Sequence, residues 1–129
     1  MAIKYRMVER TDNINPEDEK KTGYYPRVVR NRTIKVDEIS ELAAEGTTIN
    51  KIELKASIGM LMEHIEKELL NSNHVCIDGF GTFSLTAESR RVENPDEIRA
   101  ESITVKRIVF TPSKTLMKRI KNAKFVRTK

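Results

Sequence analysis

The chain has 129 residues, of which 24 are Lys or Arg and 19 are Asp or Glu, so its formal net charge is +5 at pH 7. With 38% hydrophobic residues, no Trp and one Cys, it has room for one modest core and excludes an internal disulfide framework. The longest apolar run, residues 58–62, is far shorter than the roughly 18 residues of a membrane span, and the first residues lack the apolar stretch of a signal peptide. These features predict a soluble protein of the reducing cytoplasm that does not span a membrane.

The charge is unevenly distributed along the chain. Residues 1–35 hold nine basic and five acidic side chains, residues 36–79 hold three basic and nine acidic, and residues 80–129 hold twelve basic and five acidic. A chain divided in this way is expected to present an acidic and a basic surface. Basic surfaces favour polyanions such as nucleic acid or an anionic membrane, although ordinary solvated charge is the alternative on this observation alone.

Two segments near the N terminus are predicted to be strands. Ile3, Tyr5 and Met7 alternate with polar residues, and residues 24–32 are rich in β-forming side chains. Pro26 favours an edge position, and residues 13–21 are typical of a loop. We therefore predict that residues 1–35 form an N-terminal extension with two edge strands.

Two helices are predicted next. The first runs from Val36 to Glu45 and stops at Gly46, whose missing Cβ permits a left-handed end. Asn50 is an N-cap candidate for a second helix over residues 51–71. Its apolar stripe at helical spacing is formed by Leu54, Ile58, Leu61, Met62, Ile65 and Leu69. This apolar stripe is wider than the surface that one small sheet can cover. The apolar surface left uncovered favours a homodimer.

Period-two alternation then predicts a three-stranded antiparallel sheet. Two strands flank a tight reversal at Gly79–Gly81, and a third covers residues 103–110, with Ile103, Val105 and Val109 in phase. The second connection, over residues 90–102, is long and charged. These elements predict an α+β fold.

A short basic helix completes the predicted fold. Thr111 and Pro112 are interpreted as its N-cap and its first helical position. The helix carries Lys114, Lys118, Arg119 and Lys121.

The residues with catalytic or metal-binding chemistry are few. His74, Cys76 and Asp78 share one strand face, but their alternating spacing differs from the chelating spacings of zinc sites, and no second Cys/His pair follows. Gly79 and Gly81 lack the Gly-Lys-Ser/Thr of a phosphate-binding loop. We therefore predict no enzyme activity, cofactor, metal or small-molecule substrate.

Three motifs, Ile77–Phe83, Asn94-Pro95 and Phe110–Leu116, follow each other in register along the chain, and together they resemble the bacterial histone-like DNA-binding family that includes HU and integration host factor. Ile77–Phe83 resembles its Gly-Phe-Gly-x-Phe signature, and Asn94-Pro95 resembles the tip of its DNA-binding arm. Phe110–Leu116 resembles the entry into its last helix. The match runs from about Val36 to Ala123, while the first five residues resemble an extended branch found in Bacteroides-like bacteria.

The resemblance implies a dimeric, nucleoid-associated protein that binds double-stranded DNA without strict sequence preference. In that family two β-arms enter the minor groove, and a Pro on each arm wedges between base steps and bends the duplex. Residues 36–129 would form the DNA-binding and dimerisation domain. The implied DNA-binding residues are Arg90, Arg91, Asn94, Pro95, Arg99, Lys106, Arg107, Lys114, Lys118, Arg119 and Lys121.

One departure from the family pattern keeps an alternative open. Asp96, Glu97 and Glu101 lie in the segment that corresponds to the arm, and phosphate repels carboxylates. A protein-interaction or dimerisation module with weak DNA affinity is therefore the second hypothesis. Basic residues of the extension, Arg27, Arg30 and Arg32, are candidates to add to DNA affinity.

Overall fold

The structure, a computed structural model, describes residues 1–11 and 22–128. The predicted loop over residues 13–21 falls outside these ranges. Along the chain the elements are β1 (Ile3–Thr11), β2 (Thr22–Val28), α1 (Val36–Ala44), α2 (Lys51–Leu70), β3 (Val75–Ile77), β4 (Gly81–Glu88), β5 (Thr104–Pro112), α3 (Lys114–Lys121) and β6 (Phe125–Arg127).

The chain divides into two compact units. One consists of Met1–Thr33 with Arg119–Lys129, and the other of Ile34–Lys118. Residues from Arg119 onward thus group with the N-terminal residues, whereas the sequence analysis assigned them to the second domain. The functional boundary at residue 35 stays a prediction.

The first unit contains a three-stranded sheet in the order β2-β1-β6. β1 pairs antiparallel with β2 and parallel with β6, where Ile3 is opposite Phe125. The prediction of two edge strands is therefore right for β2, which contains Pro26, and wrong for β1. β6 occupies the other side of β1, and its three residues are too short to produce a recognisable alternation.

The helices α1 and α2 begin and end within one residue of where local signals placed them. The Asn50 Oδ1 accepts a hydrogen bond from the Ile52 backbone N–H at 2.8 Å, and α2 begins one residue later than this cap. Gly46 follows α1 with φ +76°, a conformation that side chains with a Cβ disfavour. α1 packs against α2, and Ser40, only 1% exposed, lies on the buried side of α1.

The second sheet has the order β3-β4-β5, with antiparallel pairing throughout. The backbone at the first residue of β4 comes close to an aromatic cluster. A Cβ on Gly81 would overlap the Phe110 ring and the Thr111 carbonyl oxygen, so this position requires glycine. Ring centroids of Phe80 and Phe83 lie 5.2 and 5.0 Å from that of Phe110. This arrangement supports the interpretation of these rings as packing residues.

A β-bulge changes the phase of β5. Thr86 is opposite Arg107 and Ala87 is opposite Val105, so Lys106 has no partner on β4. The extra residue reverses which side chains share a face. Val105 therefore lies on the same face as Ile108, and the prediction that Val105 and Val109 are in phase is wrong.

The start of α3 also differs from the prediction. Pro112 is the last residue of β5 and pairs with Gly81, so it is not the first helical residue. Ser113 is the cap instead, because its Oγ accepts a hydrogen bond from the Leu116 N–H at 3.0 Å and its carbonyl accepts one from Met117. Strand pairing extends β5 through the Thr-Pro dipeptide and shifts the helix start by two residues.

Candidate nucleic-acid interface

The connection between β4 and β5 corresponds to the predicted arm. The paired strands end at Glu88 and Thr104, so the ladder does not continue to Asn94 and Pro95. Residues 89–103 instead contain two short 3₁₀ turns, Pro95–Glu97 and Ala100–Ser102. Pro95 is exposed and opens the first turn, where its fixed φ suits the turn and no backbone N–H is needed.

Two of the predicted DNA-binding residues donate hydrogen bonds to Glu97. Arg90 Nη2 donates a hydrogen bond to the Glu97 carbonyl oxygen at 3.2 Å, and Asn94 Nδ2 donates one to Glu97 Oε1 at 3.4 Å. These hydrogen bonds fold the connection back on itself. A phosphate that binds Arg90 or Asn94 must therefore compete with Glu97.

β4 and β5 form a sheet with two different faces. Phe83 and Leu85 of β4, opposite Phe110 and Ile108, make the apolar face. The other face is rich in hydroxyl groups, and its members from the two strands are Thr82, Ser84, Thr86, Arg107, Val109 and Thr111. Arg107 is thus placed among side chains that donate hydrogen bonds, and hydroxyls of this kind contact phosphates in protein–DNA complexes. The sequence analysis did not assign these hydroxyls to the interface, although the alternation in β4 already grouped them.

α3 carries a group of exposed cations. Lys114, Lys118 and Lys121 follow each other at spacings of four and three residues, which places them along one side of the helix. The apolar residues Leu116 and Met117 of the same helix are half-buried. The boundary between the two units falls within α3, after Lys118.

Charge separates the predicted site residues into two groups. The connection over residues 89–103 holds three basic side chains, including Arg91 and Arg99, and four acidic ones. Residues 104–121 hold six basic side chains, including Lys106 and Arg119, and no acidic one. A polyanion is therefore attracted chiefly to β5 and α3.

Other chemistry is sparse in the described residues. The exposed Cys76 Sγ donates a weak hydrogen bond to Asp78 Oδ1 at 3.9 Å. Within residues 1–11 and 22–128 no three His, Cys, Asp or Glu side chains are grouped as a metal site would require. No helix in those same ranges is long and apolar enough to span a membrane.

Comparison of the sequence with known families and proteins gives one consistent result. The model of a family described as "HU domain fused to wHTH, Ig, or Glycine-rich motif" matches residues 1–127. Integration host factor subunit alpha of Pectobacterium carotovorum subsp. carotovorum is 32% identical over 88 residues, which are 67% of this chain and 90% of that protein. The same subunit of Escherichia coli O9:H4 is 31% identical over 93 residues, or 70% of this chain and 94% of that protein.

Two solved structures share the fold. A putative bacterial DNA-binding protein from Bacteroides vulgatus superimposes with a TM-score of 0.70 at 16% identity, covering 98% of this chain but only 48% of that one. HU from Anabaena, crystallised with DNA, superimposes with a TM-score of 0.53 at 20% identity, covering 67% of this chain and 97% of that one. The chain thus spans about half the length of the Bacteroides protein and nearly all of the Anabaena one.

Proposed function

From the premise that this chain belongs to the HU-HIG family of HU domains, we propose that it is an architectural protein that binds double-stranded DNA with little sequence preference. The observation that carries the proposal is the segment from Thr104 to Lys121, where six cations and no carboxylate accompany a hydroxyl-rich sheet face. Such a surface binds the sugar–phosphate backbone and carries little sequence information. The proposed outcome is bending or compaction of DNA in the nucleoid, without catalysis.

We further propose that the functional form is a homodimer. α2 and the apolar sheet face enclose an open groove of about 560 Å³, lined by Met62, Ile65, Glu66, Leu69, Leu70, Phe83, Leu85, Val105 and Ile108. Leu69 is 7% exposed and is the one buried hydrophobic side chain among the described residues, while Met62 remains 50% exposed. Leaving so much apolar surface in water is unfavourable at about 25 cal/mol per Å². A second copy that covers this groove supplies the missing core.

The proposal assigns different roles to the two predicted domains. Residues 36–129 form the DNA-binding and dimerisation domain, and residues 1–35 are an extension to it. Lys106, Arg107, Lys114, Lys118, Arg119 and Lys121 contribute most of the affinity because no acidic residue lies among them in the sequence. Arg90, Arg91, Asn94, Pro95 and Arg99 enter the minor groove, and Pro95 wedges between base steps.

A specific observation favours a second function. The connection over residues 89–103 has an excess of acidic side chains, and Arg90 and Asn94 already have protein partners on Glu97. A connection of this kind suits a dimerisation or protein-interaction module with weak DNA affinity. The two functions differ in how strongly the chain binds DNA at low salt.

Fluorescence anisotropy with a duplex of random sequence, repeated at several salt concentrations, tests the proposal. Each phosphate neutralised contributes a slope of about −0.9 to log affinity against log salt. The double variant K114A/K118A should flatten that slope and weaken binding to all duplexes by a similar factor, whereas the variant K51A, on α2, should leave both unchanged. Absence of binding by the unmodified protein at about 50 mM salt, where phosphate interactions are strongest, would instead favour the interaction module.

A further inference from the structure

One face of the N-terminal sheet is cationic. Side chains on a strand alternate between faces, so Lys4, Arg6 and Arg10 of β1 share a face. The register places Arg27 of β2 directly opposite Arg6, and therefore on that same face. Val8, Tyr25 and Val126 complete it. We name these seven side chains the cationic face.

The other face of the sheet has a different character. Its members are mainly apolar, and Tyr5 and Phe125 meet there edge to face with ring centroids 6.2 Å apart. It also carries Glu9, the single carboxylate within residues 1–11, 22–33 and 119–128, which hold ten basic side chains. The cationic face is therefore not neutralised within the part of this unit that the structure describes.

The pair formed by Arg6 and Arg27 is the unusual feature of the cationic face. Directly opposed residues of an antiparallel pair have Cβ atoms about 5 Å apart, and like charges at that distance are destabilising. Neither guanidinium makes a salt bridge with any residue in the described ranges. An anion placed between the two side chains removes the repulsion and accepts charge-assisted hydrogen bonds from both.

We propose that the cationic face is a second DNA-binding surface, which holds the sugar–phosphate backbone of duplex DNA through Lys4, Arg6, Arg10 and Arg27. Successive side chains on one face of a strand are about 7 Å apart, so the strand presents a row of cations rather than one site. Guanidinium groups bind phosphate with two parallel hydrogen bonds, which suits the Arg pair. This inference rests on the proposed function, because the DNA that the cationic face binds is the DNA that β5 and α3 attract.

Duplex DNA fits this face better than an anionic membrane does. Peripheral membrane binding requires large apolar side chains that insert between lipids, and the cationic face offers only two valines and Tyr25 beside its cations. Duplex DNA carries one negative charge per about 1.7 Å of its axis, a continuous density that matches a row of cations. Anionic vesicles therefore serve as a comparison in the test.

The test compares variants of the full chain that remove positive charges from the first unit. R6Q/R27Q and the single variant R6Q change the cationic face, while the control R127Q changes Arg127 on the opposite face. We expect R6Q/R27Q to flatten the salt slope by about 0.9 for each phosphate that is no longer neutralised, and to weaken binding at about 0.1 M salt by roughly tenfold for each such phosphate. The matched control should retain the slope of the unmodified protein.

A stability measurement gives a second, independent readout. Because R6Q/R27Q removes a like-charge pair, it should melt at the same or a higher temperature than the unmodified protein at low salt without DNA. The single variants R6Q and R27Q should each produce about half of the change in slope, so the outcome does not depend on how well the double variant folds.

The outcomes separate this inference from the proposed function. DNA binding that is weakened by K114A/K118A but has an unchanged slope in R6Q/R27Q overturns the inference alone. An equal change of slope in R6Q and in R127Q also overturns it, because it indicates general charge rather than a face. Weaker binding of R6Q/R27Q to phosphatidylserine vesicles with an unchanged DNA slope would assign the cationic face to membranes and contradict the proposal. If the unmodified protein does not bind DNA, both the function and the inference are wrong.

Discussion

The connection over residues 89–103 and the segment from Thr104 to Lys121 adjoin each other in the sequence but differ in charge and in secondary structure. The first has more acidic than basic side chains and two short 3₁₀ turns. The second has no acidic side chain and consists almost entirely of a paired strand and a helix. From this difference we expect DNA affinity and DNA bending to come from different residues of the chain.

The two segments also differ in what DNA must displace. In the connection, Arg90 and Asn94 exchange hydrogen bonds with Glu97 for hydrogen bonds with phosphate, so their net gain is small. On α3 the exposed ammonium groups of Lys114 and Lys118 give up only water and counterions. We therefore expect most of the affinity to come from Thr104–Lys121 and the bending to come from the connection.

The largest effect is expected from a change that prevents dimerisation, because both segments are proposed to bind DNA as parts of a dimer. The variant M62E places a charge in the apolar groove, where a second copy would bury it without a partner, so it should abolish the dimer and weaken DNA binding by at least a hundredfold. Sedimentation equilibrium checks the first expectation, because the unmodified protein should have twice the chain mass of 14.9 kDa. The control is I49E, at a position 54% exposed and outside the groove. A strictly monomeric unmodified protein at tens of micromolar would contradict the homodimer.

A smaller effect should follow from neutralising the acidic side chains of the connection. The triple variant D96N/E97Q/E101Q removes three carboxylates that repel phosphate and lowers the hold of Glu97 on Asn94. We expect DNA binding about tenfold tighter at low salt, with a difference that shrinks as salt is raised because exposed charges are screened. Anisotropy titrations at two salt concentrations measure it. Unchanged affinity would show that the connection does not approach DNA.

The smallest effect on affinity is expected at Pro95. This position tests most directly whether DNA bending comes from the connection. The variant P95A replaces a rigid ring by a methyl group, so it should reduce DNA bending more than it reduces affinity, which should fall less than about threefold. Energy transfer between the ends of a short labelled duplex reports the bend. If bending is the same with P95A, Pro95 is a turn residue only, and any bend arises from DNA binding by β5 and α3.

Local signals in the sequence predicted the ends of α1 and α2, but strand pairing determined the start of α3 and other features that the sequence did not reveal. Asn50 and Gly46 mark helix ends because each acts on backbone groups a few residues away. The bulge at Lys106 depends on which residues of β4 and β5 lie opposite each other, and alternation within one strand cannot reveal it. β6 depends on pairing with a strand far away in the sequence.

The candidate sites were predictable to different degrees for the same reason. The cations of α3 follow from helical spacing alone, so Lys114 and Lys118 could be grouped before the structure was known. The cationic face needed two steps, since alternation groups Lys4 with Arg6 and Arg10, but only the register adds Arg27. The hydrogen bonds of Glu97 depend on the path of an irregular segment, which no periodic pattern describes.

The parallel pairing of β1 with β6 has a consequence for how the protein is made. The Thr128 hydroxyl donates to the Tyr5 carbonyl across 123 positions of the chain, so the strands that meet there are synthesised far apart in time. At about 5 to 20 residues per second, a ribosome needs roughly 6 to 25 s to add those residues. Until β6 leaves the ribosome, one edge of β1 has no partner, and open strand edges pair readily with other chains. Among the elements that the structure describes, the N-terminal sheet therefore joins the strands that are synthesised furthest apart in time, and slow elongation extends the period in which the open edge of β1 can aggregate.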